Sequence, residues 1–393
     1  MCIRDRIYIQ AASIKEDSVD IAINQVRFRS FSRAAGRTAR IVSALSPNEI
    51  EEINIFLMNG DIEVSSIALN REEFDKAVLN KSSSSEVFFS SRIESTENEP
   101  KYVNADFQPT IRYPEFFWTM SPALRHQIGG PEAFYLGQLW WKIDTTVMFR
   151  RGLSLKTVIG FDIYNNFDEF NNPSYSQLPH VRSDIQDYLS EGKNNIARMQ
   201  INYIWSPYKN LFAKLDVGLL EQMFGGFGGE IYYRPFSSNF STSLSIHNVR
   251  QRGYKQRFKF RDYQTETGHL GLHYDLPKEI HSQILIGKYL AGDKGVSFDI
   301  SRRFKTGFTL GIFATKTNLS AEEFGEGSFD KGFYFSIPTE IFYTKYRPGN
   351  ISFGLHPLTK DGGATLNIHN SLFSLFGDTN RSSLVRDLSL IHI

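Results

Sequence analysis

The stretch Leu211–Pro235, LFAKLDVGLLEQMFGGFGGEIYYRP, holds two runs of alternation joined by a glycine-rich connection. Leu211, Ala213, Leu215, Val217 and Leu219 fall on one side of the first run; Lys214, Asp216 and Gly218 fall on the other. In the second run Ile231 and Tyr233 share a face, and Glu230, Tyr232 and Arg234 share its opposite. A period of two is that of a strand, because successive side chains leave a pleated backbone on opposite sides. One face is apolar or aromatic, and the other carries charges of both signs. A soluble sandwich buries the apolar face and wets the polar one. A transmembrane barrel turns the apolar face to lipid and lines its lumen with the charges.

The pattern recurs. Leu153, Leu155, Thr157, Ile159, Phe161 and Ile163 oppose Ser154, Lys156, Gly160 and Asp162. Leu139, Trp141, Ile143, Val147 and Phe149 oppose Lys142, Asp144, Thr146 and Arg150; Val296, Phe298 and Ile300 oppose Ser297, Asp299 and Ser301. From Phe107 onward there are about fourteen strand candidates by this criterion. Their connections alternate between short ones, such as Arg150–Gly152 and Ser206–Asn210, and mostly longer ones, such as Asn165–Asn195 and Arg250–Gly268. Short turns at one end and long loops at the other are the habit of outer-membrane barrels. Trp118, Trp140, Tyr164, Trp205 and Tyr233, near strand ends, are expected to form interfacial girdles.

Composition agrees. The 393 residues include 33 Phe and 18 Tyr, yet only 41% are hydrophobic, and no run approaches the roughly 18 apolar residues of a membrane helix. A net charge of +1 leaves no footprint for nucleic acid. Met1–Arg6 (MCIRDR) and Leu388–Ile393 (LSLIHI) can be encoded by one DNA sequence read on opposite strands, as a library adapter would be, so residues 1–6 and 388–393 are expected to lie outside the fold. Cys2, the sole cysteine, belongs to that stretch, which excludes a disulfide framework or a thiolate metal site.

Before the barrel, residues 7–82 read as a small α+β domain. Asp20–Arg29 alternates as a strand, and Ser30–Ala44 carries apolar residues at helical spacing up to Pro47. Ile53–Met58 and Ile62–Ala68 flank Asn59-Gly60, and Arg71–Leu79 closes the domain as a helix. The Ser-, Glu- and Asn-rich residues 83–106 read as a linker. The expected fold is therefore mainly β: an antiparallel up-and-down transmembrane β-barrel of about 12–16 strands over residues 107–387, preceded by a small α+β periplasmic domain.

Lys142, Asp144, Lys156, Asp162, Lys214, Asp216, Glu230, Arg234 and Asp299 are expected to face the lumen as mixed-sign ladders. Such ladders neutralise a wall rather than perform acid–base work, so no catalytic residue is assigned and the chain is not read as an enzyme. Phe224–Gly229 (FGGFGG) precedes strand, not helix, and reads as a loop and bulge, not a phosphate cradle. Gly325–Gly332 lacks the nucleophile-elbow spacing. His269 and His273 sit roughly 13 Å apart on a strand and cannot share a metal; no metal or cofactor is expected. In Asn165–Asn195, Val181, Ile185, Tyr188 and Leu189 recur at helical spacing, as in a lid over the barrel mouth. Tyr175, His180, Arg182, Asp184 and Tyr188 there are candidate glycan contacts, with Asn171, Asn172 and Gln186 beside them.

Several segments resemble the YjbH family of exopolysaccharide-associated outer-membrane proteins, GfcD-like capsule relatives included. They are GRTAR (36–40), LPHVRSDIQDYLSEG (178–192), EQMFGGFGGEIYYRPF (221–236), VRQRGY (249–254), DYQTETGHLGLHY (262–274), LAGDKGVSFDISRRF (290–304), FGEGSFDKGFYFSIP (324–338) and PLTKDGG (357–363). The resemblance implies a barrel in the outer membrane that serves exopolysaccharide or capsule production or export. It implies contact with outer-membrane lipid, polysaccharide and periplasmic export proteins. Family members are longer, with two barrels in one chain, so this chain would hold the domain between them and most of the second. Two alternatives stand beside it: a barrel enzyme acting on glycan or lipid, and a structural or assembly protein docking export partners.

Overall fold

In the computed structural model, residues 2–3, 7–25, 28–60, 62–96, 104–128, 135–169, 177–324, 329–342, 349–355 and 361–391 are described. The first sheet holds β1 (Cys2–Ile3), β2 (Ile7–Ile14), β3 (Ser18–Gln25), β4 (Glu52–Asn59), β5 (Ile62–Asn70) and β6 (Arg92–Ser95), in that order. All neighbours are antiparallel except β3 and β4, which a crossover through α1 (Phe31–Leu45) makes parallel. The Ser30 side chain caps α1 by accepting from the Arg33 amide. The buried face of α1 is small, with Ser32, Ala34, Ala35, Gly36, Thr38 and Ala39, so the helix lies close on the sheet. Helices α2 (Arg71–Val78) and α3 (Ser84–Ser90) complete this layer.

The linker reading of residues 83–106 needs correction. Ser83 and Glu86 form a capping box that starts α3, and β6 pairs with β5. A Ser-x-x-Glu spacing is a helix start even in a polar stretch. Phe107 is no barrel strand either: it exchanges two 2.9 Å backbone hydrogen bonds with Ala12 of the small domain.

Among the described residues the second sheet has thirteen strands in sequential order, each antiparallel to the next. They are β7 (Glu115–Ile128), β8 (Tyr135–Arg150), β9 (Leu153–Asn165), β10 (Asn195–Tyr208), β11 (Leu211–Leu219), β12 (Phe224–Tyr233) and β13 (Phe240–Arg252). There follow β14 (Phe260–Leu276), β15 (Ile280–Lys288), β16 (Lys294–Arg303), β17 (Thr309–Thr317), β18 (Asp330–Pro338) and β19 (Asn350–Leu355). Among the described residues, β7 and β19 are its edges and no ladder joins them. In the lid loop α4 (Ile185–Glu191) forms, and α5 (Ala321–Phe324) lies between β17 and β18.

Strands were expected up to residue 387, but the last ends at Leu355. Residues 361–391 instead cross the inner side of the sheet and reach the small domain, forming α6 (Leu372–Phe376) and α7 (Arg381–Arg386) on the way. Their sequence has no period of two, and their backbone is satisfied by side chains from the strands rather than by a ladder. Leu388 and Ile391, expected outside the fold, are buried in the small domain's core. The Ile391 carbonyl oxygen lies 1.7 Å from where a Cβ on Gly36 would stand, so only glycine fits at that point of α1.

The small domain sits at the end of the large sheet where the short connections are. Ser95 donates to Asn210 (3.1 Å), Arg29 pairs with Glu340 (3.2 Å), and Arg29 donates to the Gly349 carbonyl (2.8 Å). One hydrophobic cluster runs through both parts: Ile204, Phe212, Tyr232 and Phe236 of the sheet, Leu372 and Phe376 of α6, and the core of the first sheet.

Candidate functional site

The burial pattern of β11 and β12 is inside out for a soluble protein. Lys214 (1% exposed), Asp216 (3%), Tyr232 (0%) and Arg234 (3%) are buried, whereas Leu215 (54%), Val217 (48%), Ile231 (49%) and Tyr233 (47%) are exposed. The same outward apolar face continues through Leu244, Ile246, Leu270, Ile286, Val296, Phe298, Leu310 and Ile312. So contiguous an apolar surface marks a face that meets a membrane or another protein.

The inner face is polar because it holds a peptide. Residues 361–371 cross it without regular structure, and charged or amide groups of the wall bind their backbone. Lys214 Nζ donates to the His369 carbonyl (2.8 Å), and Glu230 accepts from the Leu372 amide (2.8 Å). Glu221 accepts from the Asn367 amide (3.0 Å), and Arg182 donates to the Thr365 carbonyl (2.6 Å). Asp293, in the turn after β15, accepts from the Gly363 amide (2.8 Å), while burial pushes its carboxyl above the usual range. A buried peptide group left without a partner costs about 1–3 kcal/mol, so these bonds decide whether the segment can stay inside.

Each lumen candidate can now be placed. Asp144 lies between Lys156 and Lys142, the latter at 3.8 Å. Asp162 accepts from Gln138 (2.6 Å), and Arg234 pairs with Asp275. Asp299 accepts from the Tyr334 hydroxyl (2.9 Å). Lys214 and Asp216 pair along one strand at 3.4 Å instead of across strands. The glycines of FGGFGG are not a loop: they lie within β12. A Cβ on Gly228 would stand 2.2 Å from the His247 ring, and that open space lets His247 of β13 reach over β12 to Asp216 of β11 at 3.2 Å. Trp140 is not in a girdle. It is buried on the inner side over Gly160, with the Arg125 guanidinium 3.9 Å from its ring centre. Sequence reading also missed His247, Gln283 and Tyr334, because only the strand register shows what opposes them.

In the lid loop, Tyr175, Asn171 and Asn172 lie outside the described residues. The apolar stripe is a lid as expected: Val181 and Tyr188 are fully buried against Leu220, Met223, Phe224, Val249 and Leu290. The other glycan-contact candidates of the loop have partners within the protein. Tyr188 has no free face, and its hydroxyl donates to the Arg252 carbonyl. Arg182 grips Glu221 at 2.7 Å. Asp184 receives His180 (2.7 Å), Tyr254 (2.8 Å) and Arg261 (2.8 Å). Burial alone would raise the Asp184 carboxyl, but the bonds from Arg261, Tyr254 and His180 outweigh it and hold it below the usual range. These side chains fasten the loop to the long-connection end of the sheet.

Between the inner wall and the crossing segment three cavities adjoin. The first, about 690 Å³, is lined by Gln283, Ser297, Asp299, Thr315, Tyr334 and Thr365, among others. The second, about 370 Å³, shares Gln283 and Thr365 with it and adds Ser245, Thr267, His269 and His273. The third, about 460 Å³, meets the second at Phe373 and reaches Asp275, His281 and Arg303 at the short-turn end. Phe373 stacks on His273, with ring centres 4.4 Å apart. Together the cavities form a groove of mixed polar and apolar lining along β12–β18, of a size that holds small ligands.

A family model, YjbH, described as exopolysaccharide biosynthesis protein YbjH, matches residues 4–378. The uncharacterized lipoprotein YjbH of Escherichia coli (strain K12) is 35% identical over 271 residues, covering 67% of this chain and 39% of that protein. The chain thus spans well under half the length of that relative. Among solved structures, Salmonella typhi OmpF in complex with daunomycin aligns over 65% of this chain and 95% of its own, at 9% identity and a TM-score of 0.35. A loop-deletion mutant of OmpT from Vibrio cholerae aligns over 56% of this chain and 85% of its own, at 8% identity and a TM-score of 0.26.

Proposed function

The chain belongs to the YjbH family of exopolysaccharide biosynthesis proteins, and on that premise we propose that it is an outer-membrane β-barrel whose lumen handles polysaccharide during production or export. The observation that carries this reading is the inversion of burial: charges inside, a continuous apolar face outside. In lipid no sheet edge stays open, because unpaired backbone groups cost several kcal/mol each. We therefore take β7 and β19 to meet. The thirteen antiparallel strands among the described residues set them in the same direction, so a seam between them is parallel. Cysteines on β7 and β19 should cross-link within one chain; cross-links only between chains contradict the closure.

By the short-turn rule the small domain lies in the periplasm, where it meets export proteins. Leu45, Leu79 and Phe89, exposed on its helical layer, offer apolar contact and favour the docking role as a second reading. The Escherichia coli relative's name, a lipoprotein, accords with an envelope location. A non-catalytic role is supported by the pairing of Asp144, Asp216, Glu221 and Asp275 with Lys, Arg or His.

The test places this segment in a full-length relative, in a host lacking its own copy, and fills the groove with Thr365→Trp. The expected result is normal outer-membrane assembly with lost surface polysaccharide. Unchanged polysaccharide with a filled groove contradicts the lumen's role.

A further inference from the structure

The charge of the groove narrows what it can take. Its largest cavity is lined by one cation, Arg182, and that guanidinium is saturated by Glu221 (2.7 and 3.1 Å) and the Thr365 carbonyl (2.6 Å). Asp299 faces the same cavity with the Tyr334 hydroxyl as its hydrogen-bond donor and no Lys or Arg within ion-pair distance among the described residues. A second carboxylate, Asp330, lines it too, with the hydroxyls and amide of Gln283, Ser297, Thr315 and Thr365 and the apolar Leu285, Phe298 and Phe313. In the adjoining cavity His269 and His273 line the space beside Ser243, Ser245 and Thr267, and no Lys or Arg lines it among the described residues.

Cations of the inner wall elsewhere are engaged. Lys214 is held by Asp216 and the His369 carbonyl, Arg234 by Asp275, and Arg303 by Asp378. Among the described residues, a polyanion entering the largest cavity would meet the Asp299 carboxylate and no cation but the already bonded Arg182. Such a like-charge encounter is unfavourable.

We infer that the groove between β12–β18 and residues 363–373 takes a polysaccharide segment without acidic groups, built of neutral or amino-bearing sugars, and excludes uronate- or phosphate-bearing chains. This assignment rests on the lumen reading above. Asp299 would pair with an amino substituent where one is present, and Gln283 and Thr365 would take sugar hydroxyls.

The test is calorimetric titration of the refolded full chain in detergent with three defined probes. These are an N-acetylglucosamine hexamer, its deacetylated glucosamine counterpart, and a galacturonate hexamer. The first two are expected to bind at least about tenfold tighter than the third, which is roughly one decade of Kd. Thr365→Trp should abolish both. Asp299→Asn should weaken the amino hexamer about tenfold and leave the N-acetyl hexamer unchanged, because only the former gains from the carboxylate. If the galacturonate hexamer binds tightest and Thr365→Trp removes it, the charge assignment is wrong while the polysaccharide reading stands. If no hexamer binds, or Thr365→Trp leaves binding intact, the groove is not a glycan site at all.

Discussion

Placing an arginine on the outward face of β11 tests the lipid contact energetically. Leu215 is the middle residue of the nine in β11, is 54% exposed, and pairs with Tyr203 and Gly229. Val217 lies two residues nearer the long-loop end, a step of roughly 7 Å along the strand. A charged side chain on the lipid face of a barrel costs about 2–4 kcal/mol at the midplane and about 0–1 near the interface. Leu215→Arg should therefore lower stability by about 2–4 kcal/mol, a factor of about 30–900 in the folding equilibrium. Val217→Arg should cost less. The inward control must be chosen with care. Gly218 faces the lumen side, but its φ is +133° and an added Cβ would stand 2.2 Å from the Met199 carbonyl oxygen, so any substitution there is strained. Ser245 is the better control: it lines a cavity and is the cross-strand partner of Glu230, which would pair with a new guanidinium. Ser245→Arg should cost less than about 1 kcal/mol. The assay is reversible urea unfolding from lipid bilayers, followed by tryptophan fluorescence. Equal losses for Leu215→Arg and Ser245→Arg would refute the assignment of faces.

Three further outcomes follow from the same geometry. Phe376 is fully buried and stacks on Phe212 with ring centres 3.9 Å apart, so Phe376→Ala should cost about 3–5 kcal/mol in the same urea unfolding assay. The Asp184 carboxyl is held below its ordinary 3.8, so its contribution to the lid is present above that pH and lost as pH falls through the folded value; amide exchange of Ile185–Glu191 should rise there, and Asp184→Asn should raise it already at neutral pH. With residues 361–377 inside the sheet, planar-bilayer recordings should show no conductance of porin size, and a large steady conductance from the intact chain would contradict the plugged interior.

The strands were legible because each run carries its own period, and β11 shows both faces within nine residues. The lid stripe of Val181, Ile185, Tyr188 and Leu189 was legible for the same local reason. What stayed hidden depends on register. That Gly228 makes room for His247, or Gly160 for Trp140, appears only once neighbouring strands are aligned. The crossing segment was hidden for a second reason: its partners are remote, Lys214 lying 155 residues from His369 and Arg182 lying 183 residues from Thr365. The mixed charges of the wall were therefore read as pairs among themselves, when Lys214, Glu230 and Arg182 also bind peptide groups. The capping box at Ser83 was in the sequence and was masked by the polar composition around it.

The central claim is that alternate residues of the large sheet face lipid and an interior packed against residues 361–377. The most direct measurement is a nitroxide scan of Leu211–Leu219 and Phe227–Tyr233 in bilayers, with Cys2, the sole cysteine, first replaced by serine. Collisions with oxygen report lipid, and collisions with a water-soluble nickel chelate report solvent. The account expects high oxygen and low nickel access at Leu215, Val217, Phe227 and Ile231, and low access to both at Lys214, Asp216 and Tyr232. Nickel access at Leu215 and Val217 equal to that of a solvent-exposed loop would contradict it.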